Sequence, residues 1–422
     1  MMKKFVLLTF NYSGMGGAEL YARDKLEYMQ RKGYESYIFA PKGYSENTEI
    51  LIEDLKQFNN GITELLDYYP QQCSPKDIKK TVLFVLEAIN YSDSDEVLIE
   101  SNSFITSCWG ELIAQYIQGK NYCFILHENF YGDCLEFFEF KLNRKELAGT
   151  YDDSLVKMFT GYKNLADDQR YYLLATNSQT VKDIQYNDMP DISKYDWIIG
   201  GISRLEKPYV EEMLKEISIF ASNHKDKRIL LILIGSDENP IVRNRIKQIM
   251  ENSSNVTVFV TGILSPIPRC IFEKADVFVS SATSAQFPAC EGVPTITIDG
   301  NDYKGIGILG YTTSEDLYHS GEDDVFDVNE LLEKVLIERV CDKLPFHEEY
   351  VWLYKLKDWI SVLDTHMEFV EKSDNTKAYY NVLMSSPKYY DKRKTIFLKI
   401  FGIVITSRLF RTMSSIKKNI HK

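Results

Sequence analysis

Short, almost uninterrupted apolar runs recur along this chain, each followed by a stretch with helical spacing, and the whole rhythm occurs twice. The first set is "FVLLTF" (5–10), "SYIFAP" (36–41), "EVLIES" (96–101), "YCFILH" (122–127) and "YYLLATN" (171–177), with amphipathic segments at 18–32, 75–91 and 104–118 between the runs. A strand that is apolar on both faces must be covered on both faces, and strands alternating with helices form a parallel sheet between helical layers. Segment 128–170 is aromatic and charged without a clear strand, and is expected to cover the edge of a cleft. The rhythm restarts with "DWIIGGIS" (196–203), "RILLILIG" (228–235), "VTVFVTG" (256–262), "DVFVSS" (276–281) and "TITID" (295–299), with helices expected at 209–222 and 240–251. The pattern predicts an α/β protein of two Rossmann-like domains facing across a cleft, with ligands at the carboxyl ends of the strands.

The strands stop at about residue 345, and 348–372 and 376–385 read as helices returning toward the first domain. The expected division is therefore 1–190 for the N-terminal domain and 191–345 for the C-terminal one. Returning helices take up 346–387 and a basic tail 388–422. Two domains suit 422 residues, which are many for a single core.

Charge sharpens the picture. The net formal charge of −12 argues against a general nucleic-acid binder. Residues 388–422 nevertheless carry ten Lys and Arg against the single Asp391. There Ile396, Phe397, Ile400, Phe401, Val404 and Ile405 recur at helical spacing, a composition that fits a helix lying on an anionic membrane surface. A helix packed on the first domain is the alternative. Seven cysteines without a C-x-x-C pair suit buried thiols in a reducing cytoplasm, not a disulfide framework or zinc site. "FVLLTF" is too short for a signal peptide's core, and no apolar stretch approaches the ~20 residues of a membrane span.

Candidate binding residues gather at strand ends. "NYSGMGGAEL" (11–20) puts Gly14, Gly16 and Gly17 between the first strand and first helix. They serve either as a tight turn or as room for an anionic ligand at the helix N-terminus. In "GGISRLEKPY", Arg204 and Lys207 follow a strand and precede a helix, where two cations suit a diphosphate. Gly235 and Gly262 end strands and permit close backbone approach. In "KADVFVSSATSAQFPACEGVPTITID", Ser280, Ser281, Thr283 and Ser284 offer hydroxyls and amides at a helix start, and Glu291 offers a carboxylate of the kind that binds ribose hydroxyls. Ser and Thr also cap helices with no ligand present.

Taken in order, the Gly-rich first loop, "GISRLEK", "IG", "TG" and "ADVFVSS…EGVPTI" resemble the GT-B-fold glycosyltransferases, specifically the large retaining family 4, most strongly over 198–299. The resemblance implies that Gly16 and Gly17 approach the donor phosphates and sugar, and that Arg204 and Lys207 bind the diphosphate. It implies that His127 in "FILHENF" faces the donor sugar as the catalytic contact. Gly235, Ser281, Ser284 and Glu291 complete the implied donor site. The family normally carries two glutamates separated by seven residues ahead of a Gly-x-Pro turn. Here Ser284 stands near the first position and Glu291 adjoins Gly292. The implied activity is hexosyl transfer, with retention, from a nucleoside diphosphate sugar to a glycan or lipid-linked acceptor in bacterial surface polysaccharide or glycoconjugate synthesis. It needs neither metal nor cofactor, and is placed in the cytoplasm or on the inner face of the cell membrane. The altered glutamate motif keeps a second reading open: a non-catalytic GT-B-fold partner or scaffold of another transferase. A phosphorylase or epimerase on the same fold is more distant, and no carboxylate pair of the kind a hydrolase needs stands out.

Overall fold

The computed structural model describes residues 2–14, 16–42, 50, 52–126, 134–150, 154–159, 172–176, 180–251, 253–319, 324–385, 387 and 391–420. The chain divides into two compact units, Met1–Asn177 with Asp358–Lys422, and Ser178–Lys357.

The first unit is built on six parallel strands: β1 (Lys3–Leu8), β2 (Glu35–Pro41), β3 (Asn59–Thr63), β4 (Glu96–Ser101), β5 (Lys120–Ile125) and β6 (Leu147–Gly149). Its early helices are α1 (Gly17–Arg31), α2 (Pro75–Ala88), α3 (Phe104–Ile117), α4 (Leu135–Asn143) and α5 (Ser154–Phe159). The strands lie in the order β3-β2-β1-β4-β5-β6. In β1, Phe5 and Leu7 face one core with Tyr21, Leu26 and Met29 of α1, while Val6 and Leu8 face another with Val82 and Val85 of α2 and Trp109 and Ile113 of α3. Both faces are covered, which is why the strand reads as an unbroken apolar run.

The second unit repeats the plan. A short ladder of β7 (Val181–Lys182) and β11 (Ile267–Pro268) stands apart from the main sheet. The sheet holds β8 (Trp197–Ile202), β9 (Ile229–Ile234), β10 (Val256–Gly262), β12 (Val277–Ser280), β13 (Thr295–Ile298) and β14 (Gly305–Ile308), in the order β10-β9-β8-β12-β13-β14. Helices α6 (Pro208–Asn223), α7 (Pro240–Met250), α8 (Arg269–Lys274), α9 (Thr283–Cys290) and α10 (Val328–Leu332) accompany it. All neighbours are parallel except β13 and β14. Each sheet thus has the doubly wound order whose direction reverses beside its first strand, between β1 and β4 and between β8 and β12.

Beyond the second unit, α11 (Trp359–Lys372) and α12 (Lys392–Ile420) belong with the first. Leu363, Phe369 and Val370 of α11 join the core of α1. That added cover explains why α1, expected as an amphipathic surface helix, also buries Glu19, Arg23, Asp24 and Lys25. These charges are partnered: Arg23 pairs with Asp24 at 2.8 Å and Lys25 with Glu100 at 3.3 Å.

Several sequence expectations are corrected. Segment 128–170 contains α4, the edge strand β6 and α5 among its described residues. The described residues of "YYLLATN", 172–176, form no strand: Tyr172 makes one isolated bridge to Gly149. The strands β3 ("NNGIT"), β6 ("LAG") and β14 ("GIGI") had no apolar run to reveal them, being short elements at or near the sheet edges. Helix 348–372 is a single α-helix only from Trp359, after 3-10 turns at Glu348–Tyr350 and Trp352–Leu356. Expected helix 376–385 contains only the 3-10 turn Val382–Met384. The unit boundaries fall at 177/178 and 357/358, against the expected 190 and 345. The β7–β11 ladder carries the segment after 180 into the second unit, and the turn Trp352–Leu356 is held there by Leu353 N–H donating to Gln286 Oε1.

Candidate functional site

In the second unit the loops after β8 and β12 lie side by side. Ser280 donates its hydroxyl to the Ile202 carbonyl at 2.7 Å, joining the ends of the two strands at the point where strand order reverses. Arg204 and Lys207 follow on one side of this junction, and Ser281, Thr283 and Ser284 on the other. Arg204 is exposed and Lys207 half-buried, and neither pairs with a carboxylate among the described residues. Burial lowers the Lys207 ammonium pKa from its ordinary value, Arg204 lowers it further, and Glu206 opposes both. Tyr209 steadies the loop from below: its hydroxyl donates to Ser203 at 2.8 Å, and the Lys207 ammonium lies 5.6 Å from its ring centre. Two neighbouring cations at the start of α6 are the arrangement that a doubly charged anion would require.

On the β12 side, α9 starts from Ala282 with no side-chain cap. Its first-turn amides therefore have no partner from the preceding side chains, and the helix dipole favours an anion there. Ala282 has φ +55° and ψ −144°, a conformation that side-chain-bearing residues rarely adopt. It is held there because its N–H donates to the Asp316 carbonyl at 2.6 Å. The Asp316 carboxylate in turn accepts from Gln286 Nε2 at 2.7 Å and Trp352 Nε1 at 2.8 Å. Asp316, Gln286 and Trp352 went unnoticed in the sequence, because residues 30 and 36 positions apart meet only in the fold.

Gly235 sits at the end of β9, where a Cβ would lie 2.2 Å from the Ser203 carbonyl oxygen and 2.9 Å from Leu205 Cγ. Its role is to let the β8 loop pack against β9. Gly262 has φ +76° and open space around its Cα. Glu291 lies at the far end of α9, about 10 Å from Ser284 at the usual helical rise. Its Oε2 accepts from Arg269 Nε at 2.7 Å, and Arg269 Nη1 also donates to Asp183 at 2.7 Å. The structure therefore brings Arg204, Lys207, Gly235, Ser281 and Ser284 to the carboxyl ends of neighbouring strands β9, β8 and β12 and engages Glu291 elsewhere.

In the first unit the Gly-rich loop meets α1 at Gly16, the N-cap residue. The Glu19 carboxylate accepts from Gly16 N–H and from Asn11 Nδ2, both at 2.9 Å. A Cβ on Gly14 or Gly16 would come within 2.9–3.0 Å of that carboxylate, whereas one on Gly17 would meet nothing within 4 Å. Two of the three glycines thus fit around an internal anion at the helix start. Glutamate three residues after the N-cap is a capping signal that was legible in the sequence. His127 lies outside the described residues.

No protein-family model and no curated protein sequence matches the chain. Solved structures do resemble it. A glycosyltransferase from Rickettsia africae ESF-5 is 12% identical, covering 89% of this chain and 100% of its own, with a TM-score of 0.55. A trehalose-6-phosphate protein from E. coli bound with UDP-2-fluoro glucose is 10% identical, covering 91% of this chain and 100% of its own, with a TM-score of 0.50. At these identities the likeness shows the fold, which is GT-B, with two Rossmann-like units.

Proposed function

We propose that this GT-B-fold chain transfers a hexosyl unit from a nucleoside diphosphate sugar to a glycan or lipid-linked acceptor, with retention at the anomeric carbon. The observation that carries the proposal is the junction of β8 and β12, where Arg204 and Lys207 stand without carboxylate partners among the described residues, beside the uncapped start of α9. The diphosphate would lie there, its charge met by the two cations and by first-turn amides, with Ser281 and Ser284 alongside. As the glycosidic bond to the donor breaks, negative charge grows on the departing phosphate oxygen, and fixed donors stabilise it without reorganising. That oxygen would accept the acceptor's proton on the same face, so no protein nucleophile is assigned. His127 is proposed to face the donor sugar, with Gly16 and Gly17 near it. The donor's appearance in the E. coli protein, which holds UDP-2-fluoro glucose, supports this substrate class.

The proposed setting is synthesis of bacterial surface polysaccharide or glycoconjugate, with the protein resting on the inner face of the cell membrane. What supports the last step is α12. No described helix is long and apolar enough to cross a membrane. Yet α12 exposes Ile396, Phe397, Ile400, Phe401, Ile405 and Leu409.

One observation favours the non-catalytic alternative: Glu19 already fills the α1 start that the donor glycines would otherwise leave to a ligand. Calorimetric titration with UDP-, GDP- and ADP-sugars, followed by analysis for released nucleoside diphosphate and transferred sugar, tests both readings. Binding and turnover support the transferase. Binding without turnover over a range of acceptors, or no binding of any nucleotide, rejects the transferase and favours the scaffold.

A further inference from the structure

Beyond β13 lies a second group of ligand-type side chains that glycosyl transfer leaves unused. Asp299 follows the strand directly, and its Oδ1 accepts from Asn301 N–H at 2.6 Å and Asp302 N–H at 3.2 Å. Its Oδ2 accepts the backbone N–H of His319 at 2.7 Å, and Gly300 N–H donates to the Leu317 carbonyl at 2.8 Å. These bonds fasten the Asp299–Asp302 turn to the Leu317–His319 segment. The His319 imidazole then faces both carboxylates, with Nε2 4.0 Å from Asp299 Oδ2 and 3.8 Å from Asp302 Oδ1. One ligand atom from each residue lies within 4.8 Å of the others.

The imidazole is the unusual member. Only 14% of the His319 side chain and 5% of the Asp299 side chain are exposed. Both ring nitrogens of His319 are shielded from solvent and lack a hydrogen-bond partner among the described residues. Buried polar nitrogens without partners are rare in proteins, and an ion is one of the few things that satisfies them. Asp299 Oδ2 accepts the His319 N–H and Asp302 Oδ1 the Lys304 N–H at 2.9 Å, and each oxygen keeps a second lone pair for a metal.

We propose that Asp299, Asp302 and His319 bind a divalent cation of the zinc class. One imidazole nitrogen with two carboxylate oxygens suits zinc, cobalt or manganese, whereas calcium and magnesium prefer all-oxygen shells. Bonds of about 2.1 Å place tetrahedral ligands about 3.4 Å apart, so the imidazole nitrogen needs to close on each carboxylate oxygen by roughly half an ångström, and the two oxygens, within 4.8 Å of each other, by up to about 1.4 Å. Asp302 is the half-exposed member, with 51% of its side chain open, and leaves a fourth position to water. The cation would fix the segment that also contains Asp316, whose carbonyl holds Ala282 at the start of α9. This makes it a structural clamp beside the candidate diphosphate site, independent of whether that site binds a nucleotide.

The test uses the full chain stripped of metal by a chelator. Calorimetric titration should show one zinc site per chain, with magnesium binding at least about tenfold more weakly. Cobalt should give visible bands of nitrogen and oxygen coordination without the intense near-ultraviolet absorption of a cobalt–thiolate bond, which separates this site from the cysteines. His319→Ala and Asp302→Asn should each weaken zinc binding at least about tenfold while leaving the metal-free unfolding midpoint unchanged. Asp302→Asn, at the exposed position, keeps the test open should His319→Ala fail to fold. Absence of saturable zinc binding, thiolate-type spectra, or unchanged affinity in Asp302→Asn would overturn the proposal.

Discussion

Lys207 and Arg204 show how much of a binding site one residue can carry. Each is positive, each lacks a carboxylate partner among the described residues, and burial, with the Arg204 charge adding to it, lowers the Lys207 pKa. An anion between them relieves that repulsion. Arg204→Ala should therefore weaken nucleoside diphosphate binding more than tenfold, as expected for a charge-assisted contact worth about 1.5–3 kcal/mol. The unfolding midpoint should stay put, because exposed Arg204 supports nothing else, and calorimetry beside a thermal melt checks both. Glycines divide in the same way. Gly235→Ala forces a Cβ to within 2.2 Å of the Ser203 carbonyl and should cost about 1–3 kcal/mol or more in denaturant unfolding. Gly17→Ala meets nothing within 4 Å at the first position of α1 and should be neutral, or stabilising by up to about 1 kcal/mol. If Gly17 lies against the donor, that variant should lose turnover while keeping its stability. From sequence alone these glycines looked alike. What separates them is the neighbour each Cβ would strike, and that neighbour comes from a different strand or from Glu19.

At the scale of elements, α11 brings a histidine into the first unit's charged core. His366 is fully buried, its Nε2 is 2.9 Å from the Leu174 carbonyl, and its Nδ1 is 3.4 Å from the Tyr21 hydroxyl. Burial, and then the Lys25 charge, lower its pKa from 6.5 to about 3, against the pull of Glu100. The unfolded chain therefore binds a proton that the folded chain refuses between those values. Stability from this residue is complete above pH 6.5 and falls as the pH drops toward 3. Glu100, held below its ordinary value by Lys25, His366 and two tyrosines despite burial, adds its own acid loss lower down. Urea melts at pH 7 and pH 5 should show the wild type weakened at pH 5 and His366→Asn much less so. Equal losses would assign the acid sensitivity elsewhere. Nothing in the sequence marked His366, because the periodicity of 348–372 places a residue on a helix without saying which charges meet it. The strands were far more legible. Runs such as "ILLILI" are buried on both faces and name themselves, whereas β3 and β14 are edge strands stabilised by pairing to a neighbour that a local reading does not see.

For the whole molecule, α12 decides whether the acidic chain meets a membrane. Of the tail's two sequence readings, the core-packed helix describes one face of α12, while the surface-bound one is a proposal that rests on the exposed opposite face. Leu398 and Ile403 are fully buried in the first unit's core. Ser407 shares a hydrogen bond with Tyr68 at 3.1 Å, and Arg411 pairs with Asp67 at 3.1 Å. Gly402, at φ +77°, breaks the helix and resets its phase, so a single helical stripe could not assign both faces in advance. Removing the tail from residue 391 onward should then uncover apolar surface and destabilise the first unit, which makes truncation a poor probe of lipid binding. Outward substitutions are the better probe. Ile396 is 58% exposed and Ile400 66%, and neither helps hold the helix down. With Lys392, Arg393, Lys399 and Arg408 nearby in sequence, on the proposed reading this face would pair apolar insertion with attraction to anionic head groups, each basic residue contributing about 1 kcal/mol at low salt. The protein should sediment with vesicles containing phosphatidylglycerol, less with neutral ones, and be partly released by salt. Ile396→Asp with Ile400→Asp should lose this binding while keeping the wild-type melting temperature, because the buried face is untouched. A doubly substituted protein that still sediments as well as wild type would mean that α12 is not what meets the bilayer. Self-association that disappears with the same substitutions would instead mark the face as a contact between copies of the chain.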